Sequence, residues 1–171
     1  MIEKMNNIRL LNADEIECRV GMVRAEKGKC GCSLLLYKDA RVDMRILDET
    51  VGPANWQRAH RMIGDNLYCS VSIWSRLLGM WITKEDVGVE SKTEKEKGQA
   101  SDAFKRACFN WGIGRELYTA PLIWVELADH ELYGANQVKA RFMVKEIGYD
   151  DKRNINHIVI VDRDGKVRYK R

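Results

Sequence analysis

The sequence predicts a single α+β domain with an antiparallel β-β-β-α core, a three-strand meander with one long helix packed on it. Apolar and polar residues alternate along 66–78, which is typical of a strand with one buried face. Apolar residues recur at helical spacing along 94–111, which is typical of an amphipathic helix. Short N-terminal helices and an additional C-terminal β-hairpin complete this fold. Within the domain, 1–171, the core is expected over about 12–120 and the C-terminal β elaboration over about 121–171.

The elements before the meander follow from short local signals. Asn12 ahead of Ala-Asp-Glu-Ile-Glu is a capping residue before an acidic first turn, which predicts a short helix from Asn12 to about Arg19. The segment 26–32 contains two glycines and predicts a loop, and Leu34–Tyr37 predicts a short strand. A second helix is expected over 38–50, ending at Gly52-Pro53.

The meander is centred on the alternating segment 66–78. A weaker strand, 55–63, precedes it through the turn Gly64-Asp65. A third strand, 81–89, follows the pair Gly79-Met80, which suits a two-residue hairpin with glycine first. The inward side of the central strand is expected to hold Leu67, Cys69, Val71, Ile73 and Leu77.

The long helix, 94–111, is followed by Gly112 and Gly114, which predict its C-terminal cap. Its buried stripe is expected to consist of Ala100, Ala103, Phe104, Ala107, Cys108 and Trp111. Further strands are predicted in the tail at 139–147, 155–161 and 166–170, the last two joined as a hairpin by Arg163-Asp164-Gly165.

Composition indicates the cellular compartment of the protein and the charge of its partner. The longest apolar run, Leu34–Tyr37, is far shorter than the roughly 20 residues that a membrane helix needs. The acidic N-terminal segment fits no secretion or transit signal, so a cytoplasmic protein is expected. Five cysteines, an odd number, are then expected to be free thiols. A formal charge of +4, from 29 basic and 25 acidic residues, indicates a polyanionic partner without establishing one.

The outward face of the long helix carries an unusual combination of residues. At about 100° per residue, Lys105 and Arg106 lie away from the buried stripe, and Phe109 lies about 180° from Ala100. The cations have one simple interpretation, a solvated face in which Asp102 and Arg106 form an i,i+4 ion pair. An outward Phe109 is explained either by a contact between subunits or by stacking on a nucleic-acid base beside phosphate-binding cations.

These residues belong to a longer pattern, which resembles the Rad fifty-two (Rad twenty-two) family of single-strand DNA annealing proteins. In that pattern an E-D-V-G strand end leads into a long helix ending D-x-x-K-R-A-x-x-x-aromatic-G. The resemblance spans about 14–116, and its parts are Asp86–Lys92, Glu96–Ala107, Trp111-Gly112 and, more weakly, Cys18-Arg19 and Gly52 to Trp56.

The resemblance implies a homo-oligomer, a ring or helical filament, that holds single-stranded DNA in a groove between the sheet of one subunit and the helix beside it. In this sequence the DNA-binding positions that match are Lys105 and Arg106, with Arg19 as a further basic residue and Lys92 or Lys95 as another. Phe109 stands where the family usually has a third basic residue, so it joins the expected DNA-binding set as an aromatic.

The implied function is binding and annealing of complementary single strands in homologous recombination and double-strand break repair. No G-x-x-x-x-G-K-[ST] loop occurs, so no ATPase is expected. The implied annealing function is also expected to be non-enzymatic and without a cofactor or metal. The expected partners are single-stranded DNA and further copies of the chain, with a single-strand-binding protein as an additional candidate. Short phage-encoded annealing proteins resemble this chain in length, which favours a phage recombinase acting in the cytoplasm of a bacterial or phage-infected cell.

Three other interpretations of these residues compete with DNA annealing. Asp86 followed by Glu90-Ser91-Lys92 imitates the acidic and lysine residues of a metal-dependent nuclease of DNA. Cys30 and Cys32 could supply two zinc ligands, but a structural site needs about four. A non-enzymatic oligomeric interaction module that uses the Phe109 face is the third. Trp74, expected opposite Val71 on the central strand, is the tryptophan best placed to stack on a base.

Overall fold

A computed structural model of the chain describes residues 8–26, 28–89, 95–133 and 137–171, with Glu26 and residues 95–97 described by their backbone. The chain divides into two compact units. Unit 1 comprises Met1–Leu10 and Asp39–Arg115, and unit 2 comprises Leu11–Lys38 and Glu116–Arg171. Both contain antiparallel sheets, and the two α-helices of the described residues lie in unit 1, so the α+β class is confirmed.

The α-helices are α1, Ala40–Val51, and α2, Lys95–Trp111. The strands in chain order are β1 Glu17–Glu26, β2 Lys29–Tyr37, β3 Trp56–Ile63, β4 Asn66–Ser75, β5 Met80–Val87, β6 Ile123–Leu127, β7 Leu132–Tyr133, β8 Gln137–Val138, β9 Phe142–Tyr149, β10 Ile155–Asp162 and β11 Val167–Lys170. Among the residues described, no helix is both long enough and apolar enough to span a membrane.

Unit 1 contains a three-stranded sheet in the order β3-β4-β5. Its strands pair in chain order, as the alternation in the sequence predicts. α2 packs on β4 and β5, and α1 packs on α2 and β3. The core between sheet and helices is formed by Ile46, Leu47, Cys69, Val71, Ile73, Ala103, Phe104, Ala107 and Cys108.

Gly88 lets α2 approach the end of β5 very closely. A Cβ atom at this position would lie 2.2 Å from the carbonyl oxygen of Gln99 and 2.8 Å from the amide nitrogen of Ala103. Gln99 also donates a side-chain hydrogen bond of 3.2 Å to the carbonyl of Gly88. The absence of a side chain at Gly88 therefore sets the distance between the helix and the sheet.

The two-residue hairpin predicted at Gly79-Met80 is wrong, because the turn between β4 and β5 is longer. Ser75 pairs with Met80, so the connection is the four-residue segment 76–79. Gly79 is its last residue and adopts a positive φ of 62°, which explains the glycine at this place. Leu77, expected to face inward, is exposed in this turn because the strand has already ended at Ser75.

Unit 2 is built on a six-stranded sheet in the order β11-β10-β9-β1-β2-β6. Its interior holds apolar residues from every strand of the sheet except β1 and β11, among them Cys32, Leu34, Ile123, Val125, Val144, Ile158 and Ile160. The sheet curls like a barrel, so that its two edge strands approach each other. Arg168 on β11 donates a 2.7 Å hydrogen bond from Nη2 to the carbonyl of Glu126 on β6. This side-chain bond joins the two edge strands.

Two predictions for the first part of unit 2 are wrong. The helix expected from Asn12 to Arg19 is only a short 3-10 turn, Ala13–Glu15, and Arg19 lies in β1. The side chain of Glu15 caps this turn by accepting the backbone N–H of Asn12 at 2.9 Å, so the capping signal is real but local. The loop expected over 26–32 is mostly strand, since β2 begins at Lys29.

The C-terminal region supplies four of the six strands of the sheet in unit 2. β9, β10 and β11 lie close to the predicted tail strands, and β10 and β11 pair as the predicted hairpin. β6, which was not predicted, extends the sheet beyond β2. A single domain divided near residue 120 into core and elaboration stays a prediction.

Candidate nucleic-acid interface

α2 positions the three residues that the sequence singled out. Its buried stripe, which includes Ala103 and Ala107, faces β4 and β5, so Lys105, Arg106 and Phe109 lie on its other sides. None of the three is buried, and none is fully exposed. They share one helix of unit 1 within little more than one turn, as the predicted site requires.

Arg106 is oriented by β5. Its Nε lies 3.2 Å from Oδ1 of Asp86, and 43% of its side chain remains exposed. The amide of Asn110 donates to the carbonyl of Glu85 at 3.0 Å and lies 3.4 Å from Oδ2 of Asp86. Asp102 accepts the backbone N–H of Val89 at 2.9 Å. The guanidinium therefore lies along the edge of β5 with part of its surface open to a ligand.

Lys105 contributes positive charge near the beginning of α1. Asp39 is the N-cap of α1 and accepts the backbone N–H of Arg41 at 2.7 Å. This hydrogen bond holds the pKa of Asp39 below its usual range, and the charges of Arg41 and Lys105 add to the effect. The charge of Lys105 therefore acts on a nearby carboxylate, that of Asp39.

Arg115, a cation that was not predicted as a site residue, lies beside Phe109. The guanidinium of Arg115 lies 5.5 Å from the centre of the Phe109 ring, and Nε donates to the carbonyl of Phe109 at 2.8 Å. Positive φ angles at Gly112 and Gly114 turn the chain back over the last turn of α2. Arg115 therefore brings positive charge to the place where the resembled family usually has a basic side chain. The paired glycines before an arginine are the signal that could have found it.

A second set of residues adjoins α2 on its β3 side. The guanidinium of Arg58 lies 4.6 Å from the centre of the Phe104 ring, and Trp56 stacks on the same ring at 6.2 Å. Nε2 of His60 lies 3.0 Å from the carbonyl oxygen of Ala100. Arg58 and His60 are exposed on β3, so they extend the polar surface beside the helix.

The other predicted DNA-binding residues belong to unit 2 or have side chains outside the described part of the chain. Arg19 is exposed on β1 and belongs to unit 2. Lys92 lies outside the described residues. Lys95 is the first residue of α2, and its side chain also lies outside the described part. The proposed contacts of these three residues with DNA stay predictions.

The residues proposed for a nuclease site, a metal site and base stacking have other contacts, where the structure describes them. Asp86 accepts Arg106 Nε and the backbone N–H of Val87 through Oδ1, while Glu90 and Lys92 of the proposed nuclease pattern lie outside the described residues. Across the described ranges, no three His, Cys, Asp or Glu side chains are grouped to hold a metal ion. Trp74 packs edge-on against Trp81, with 5.5 Å between the ring centres.

All five cysteines lie in the described residues, and no disulfide joins them. Burial raises the pKa of Cys18 to about 12 and the pKa values of Cys32 and Cys69 to about 11. Such thiols are poor nucleophiles because the reactive thiolate is scarce at neutral pH.

Two known proteins that are similar to this chain share the name single-stranded DNA-binding protein DdrA. The protein of Deinococcus radiodurans is 35% identical over 98 residues, which cover 56% of this chain and 46% of that protein. The protein of Deinococcus deserti is 29% identical over 119 residues, which cover 68% of this chain and 57% of that protein. The chain thus spans about half the length of these relatives. No family model matches the chain, and no solved structure matches it.

Proposed function

We propose that this chain binds single-stranded DNA through the outward face of α2 and anneals complementary strands without ATP. The observation that carries the proposal is the guanidinium of Arg115, 5.5 Å from the centre of the Phe109 ring, on the helix that also carries Lys105 and Arg106. The similarity to two proteins named for single-stranded DNA binding supports the same ligand.

The physical chemistry of this face suits an unpaired strand. Cations neutralise phosphates and release counterions, which drives binding without reading the sequence. An aromatic ring beside them can stack on a base, and each such stack contributes roughly 1–3 kcal/mol. A duplex hides its bases within the helix, so a face that combines both contacts favours single strands. The partial exposure of Arg106 leaves its guanidinium available to a phosphate while Asp86 fixes its direction.

The finer parts of the proposal concern annealing. Repeated copies of this face in a homo-oligomer, a ring or filament, would hold many nucleotides with their phosphates neutralised. Complementary strands held in this way can pair without hydrolysis or bond chemistry, so the proposed protein is not an enzyme. Homologous recombination and double-strand break repair in the bacterial cytoplasm are the processes in which we place this activity.

Two measurements on the full chain test the proposal. Fluorescence anisotropy of a labelled oligonucleotide should show tighter binding to a single strand than to its duplex at low salt. Complementary oligonucleotides should anneal faster with the protein than without it, in excess EDTA and without nucleotide. Absence of single-strand binding at low salt would refute the proposal. Degradation of the oligonucleotide that requires added magnesium would instead support the nuclease interpretation.

A further inference from the structure

A cavity of about 350 Å³ lies on the outer face of the sheet in unit 2. It opens over β1, β2 and β6, and it is lined by Arg24, Lys29, Cys30, Gly31, Trp124 and Glu126. Its volume is at the lower end of the range for small-molecule sites, which suits a single base with part of its sugar better than a larger ligand.

Trp124 forms an open aromatic surface in this cavity. Its neighbours on β6, Ile123 and Val125, point into the core and are almost completely buried, so the alternation of the strand directs Trp124 outward. The indole nevertheless remains only 39% exposed because it rests on Gly31. A Cβ atom at Gly31 would lie 2.6 Å from Cζ2 of the indole and 2.7 Å from Nε1. The ring is therefore held in place by backbone, and little side-chain entropy would be lost when a ligand stacks on it.

Two cations accompany the ring on the neighbouring strands. Arg24 on β1 pairs in register with Gly31, and Lys29 lies two residues before Gly31 on the same face of β2. Nε of Arg24 donates to Sδ of Met22 at 2.9 Å, a weak and uncharged acceptor. Lys29 lies 3.5 Å from Glu126, but both side chains are more than 70% exposed, so water screens this pair. A phosphate can compete for both cations.

We infer that this cavity binds an unpaired base of a single-stranded nucleic acid, with the base stacked on Trp124 and its phosphates near Arg24 and Lys29. The inference rests on the proposed function and adds a second contact for the same class of ligand. It also explains the glycine in the middle of β2, because any side chain at Gly31 would displace the ring that forms the site.

The ring has another structural use, since an aromatic side chain that covers a glycine stabilises a sheet. A comparison of two ligands separates this use from base stacking. One is an oligothymidylate, and the other is an abasic strand of the same length, which keeps the phosphates and lacks the bases. Loss of a stacking contact lowers affinity for the first ligand alone.

The test measures the affinity of wild type, Trp124→Phe and Trp124→Ala for both strands. We expect Trp124→Ala to bind oligothymidylate roughly 5- to 150-fold more weakly, the range for one stacked base, and the abasic strand as wild type does. Trp124→Phe should retain most of the affinity for oligothymidylate. Equal affinity of Trp124→Ala and wild type for oligothymidylate, or an equal loss for both strands, would overturn the inference.

Two further measurements test the inference even if Trp124→Ala fails to fold. The surface variant Arg24→Gln with Lys29→Gln should weaken binding of both strands, because both contain phosphates, and unchanged binding would count against the site. In wild type, oligothymidylate should change the fluorescence of Trp124, with Trp124→Phe identifying the signal. If wild type binds no single strand at all, the proposed function fails. If wild type binds and these changes have no effect, only the second site fails.

Discussion

The guanidinium of Arg106 on α2 lies against the carboxylate of Asp86 on β5, with 3.2 Å between Nε and Oδ1. The pair joins the helix to the edge of the sheet and also determines where the positive charge of Arg106 points. Because the arginine side chain is 43% exposed, the pair is neither a free surface contact nor a fully buried one. Arg106 therefore has both a structural and a proposed ligand-binding role, and these roles can be separated by experiment.

Replacing Asp86 by Asn should raise the affinity for single-stranded DNA, because it removes a negative charge beside the proposed phosphate site. The neutral amide still accepts a hydrogen bond, so the free energy of unfolding should fall only slightly. Anisotropy titrations and denaturant unfolding of Asp86→Asn and Arg106→Ala measure the two effects. If both variants lose stability and neither changes affinity, Arg106 is only a structural residue.

The double variant Lys105→Ala with Arg106→Ala should bind single strands more weakly and with a smaller dependence on salt. Each lost phosphate contact lowers the slope of log affinity against log salt by about 0.7 for a single strand. Titrations at several salt concentrations give this slope. Lys152→Ala, at an exposed turn, is the matched control for loss of a lysine. A slope equal to that of wild type would show that Lys105 and Arg106 do not contact DNA.

Replacing Phe109 by Ala should lower affinity for single strands without changing the mass of the assembly, because we propose that the ring stacks on a base beside Arg115. Phe109→Leu keeps the apolar volume and removes the aromatic face, so it should lose affinity to a similar extent. Size-exclusion chromatography with light scattering, combined with anisotropy, reads both properties. A smaller assembly with Phe109→Ala would instead identify the ring as a contact between subunits.

The ion pair of Arg168 and Glu131 should make the stability of unit 2 sensitive to acid. Only 11% and 13% of these side chains are exposed, and Nη1 lies 2.5 Å from Oε1. Hydrogen bonding to Arg168 lowers the pKa of Glu131 from 4.5 to about 2. The carboxylate is favoured in the folded state, so its stabilising effect is complete above about pH 4.5 and is lost as the pH falls towards 2.

Denaturant unfolding between pH 3 and 7 tests this relationship in wild type and Glu131→Gln. A hydrogen bond to a charged group contributes roughly 1.5–3 kcal/mol, so Glu131→Gln should be clearly less stable at pH 7. Its stability should also decline less between pH 4.5 and 3 than that of wild type. Asp151→Asn, at an exposed turn, is the matched loss of a carboxylate. Parallel pH profiles for wild type and Glu131→Gln would contradict the assignment.

Replacing Gly88 by Ala should destabilise unit 1, because the new Cβ would lie 2.2 Å from the carbonyl oxygen of Gln99 in α2. Forcing an extra carbon into such a contact costs typically about 1–3 kcal/mol. Gly148→Ala is the matched control, since its nearest contact would be a side-chain atom at 3.1 Å. Thermal unfolding followed by circular dichroism compares the two. A larger loss for Gly148→Ala would show that the approach of α2 to Gly88 is not the tighter one.

β4 and α2 were accessible from the sequence because their periodicity is regular over ten or more residues, and turn signals on either side of β4 located β3 and β5. β1 was missed because a bulge between Val20 and Val23 interrupts its pairing with β2, so no continuous alternation marks it. The acidic turn at Ala13–Glu15 was then extended into a helix that the following residues do not form. Glycine misled the interpretation of 26–32, since Gly31 lies within β2 beneath Trp124 and marks a close approach rather than a loop.

For the proposed site too, some features follow from the sequence and others only from the tertiary structure. The sequence by itself determined the α+β class, the three-strand meander, and the helix that turns Lys105, Arg106 and Phe109 away from its buried stripe, because these features depend on local periodicity. Only the tertiary structure decided that Asp86 orients Arg106, that Arg115 lies over Phe109, and that Trp124 rests on Gly31. Each of these contacts joins residues from different elements, or from beyond a turn, and its geometry depends on how those elements pack rather than on spacing along the chain.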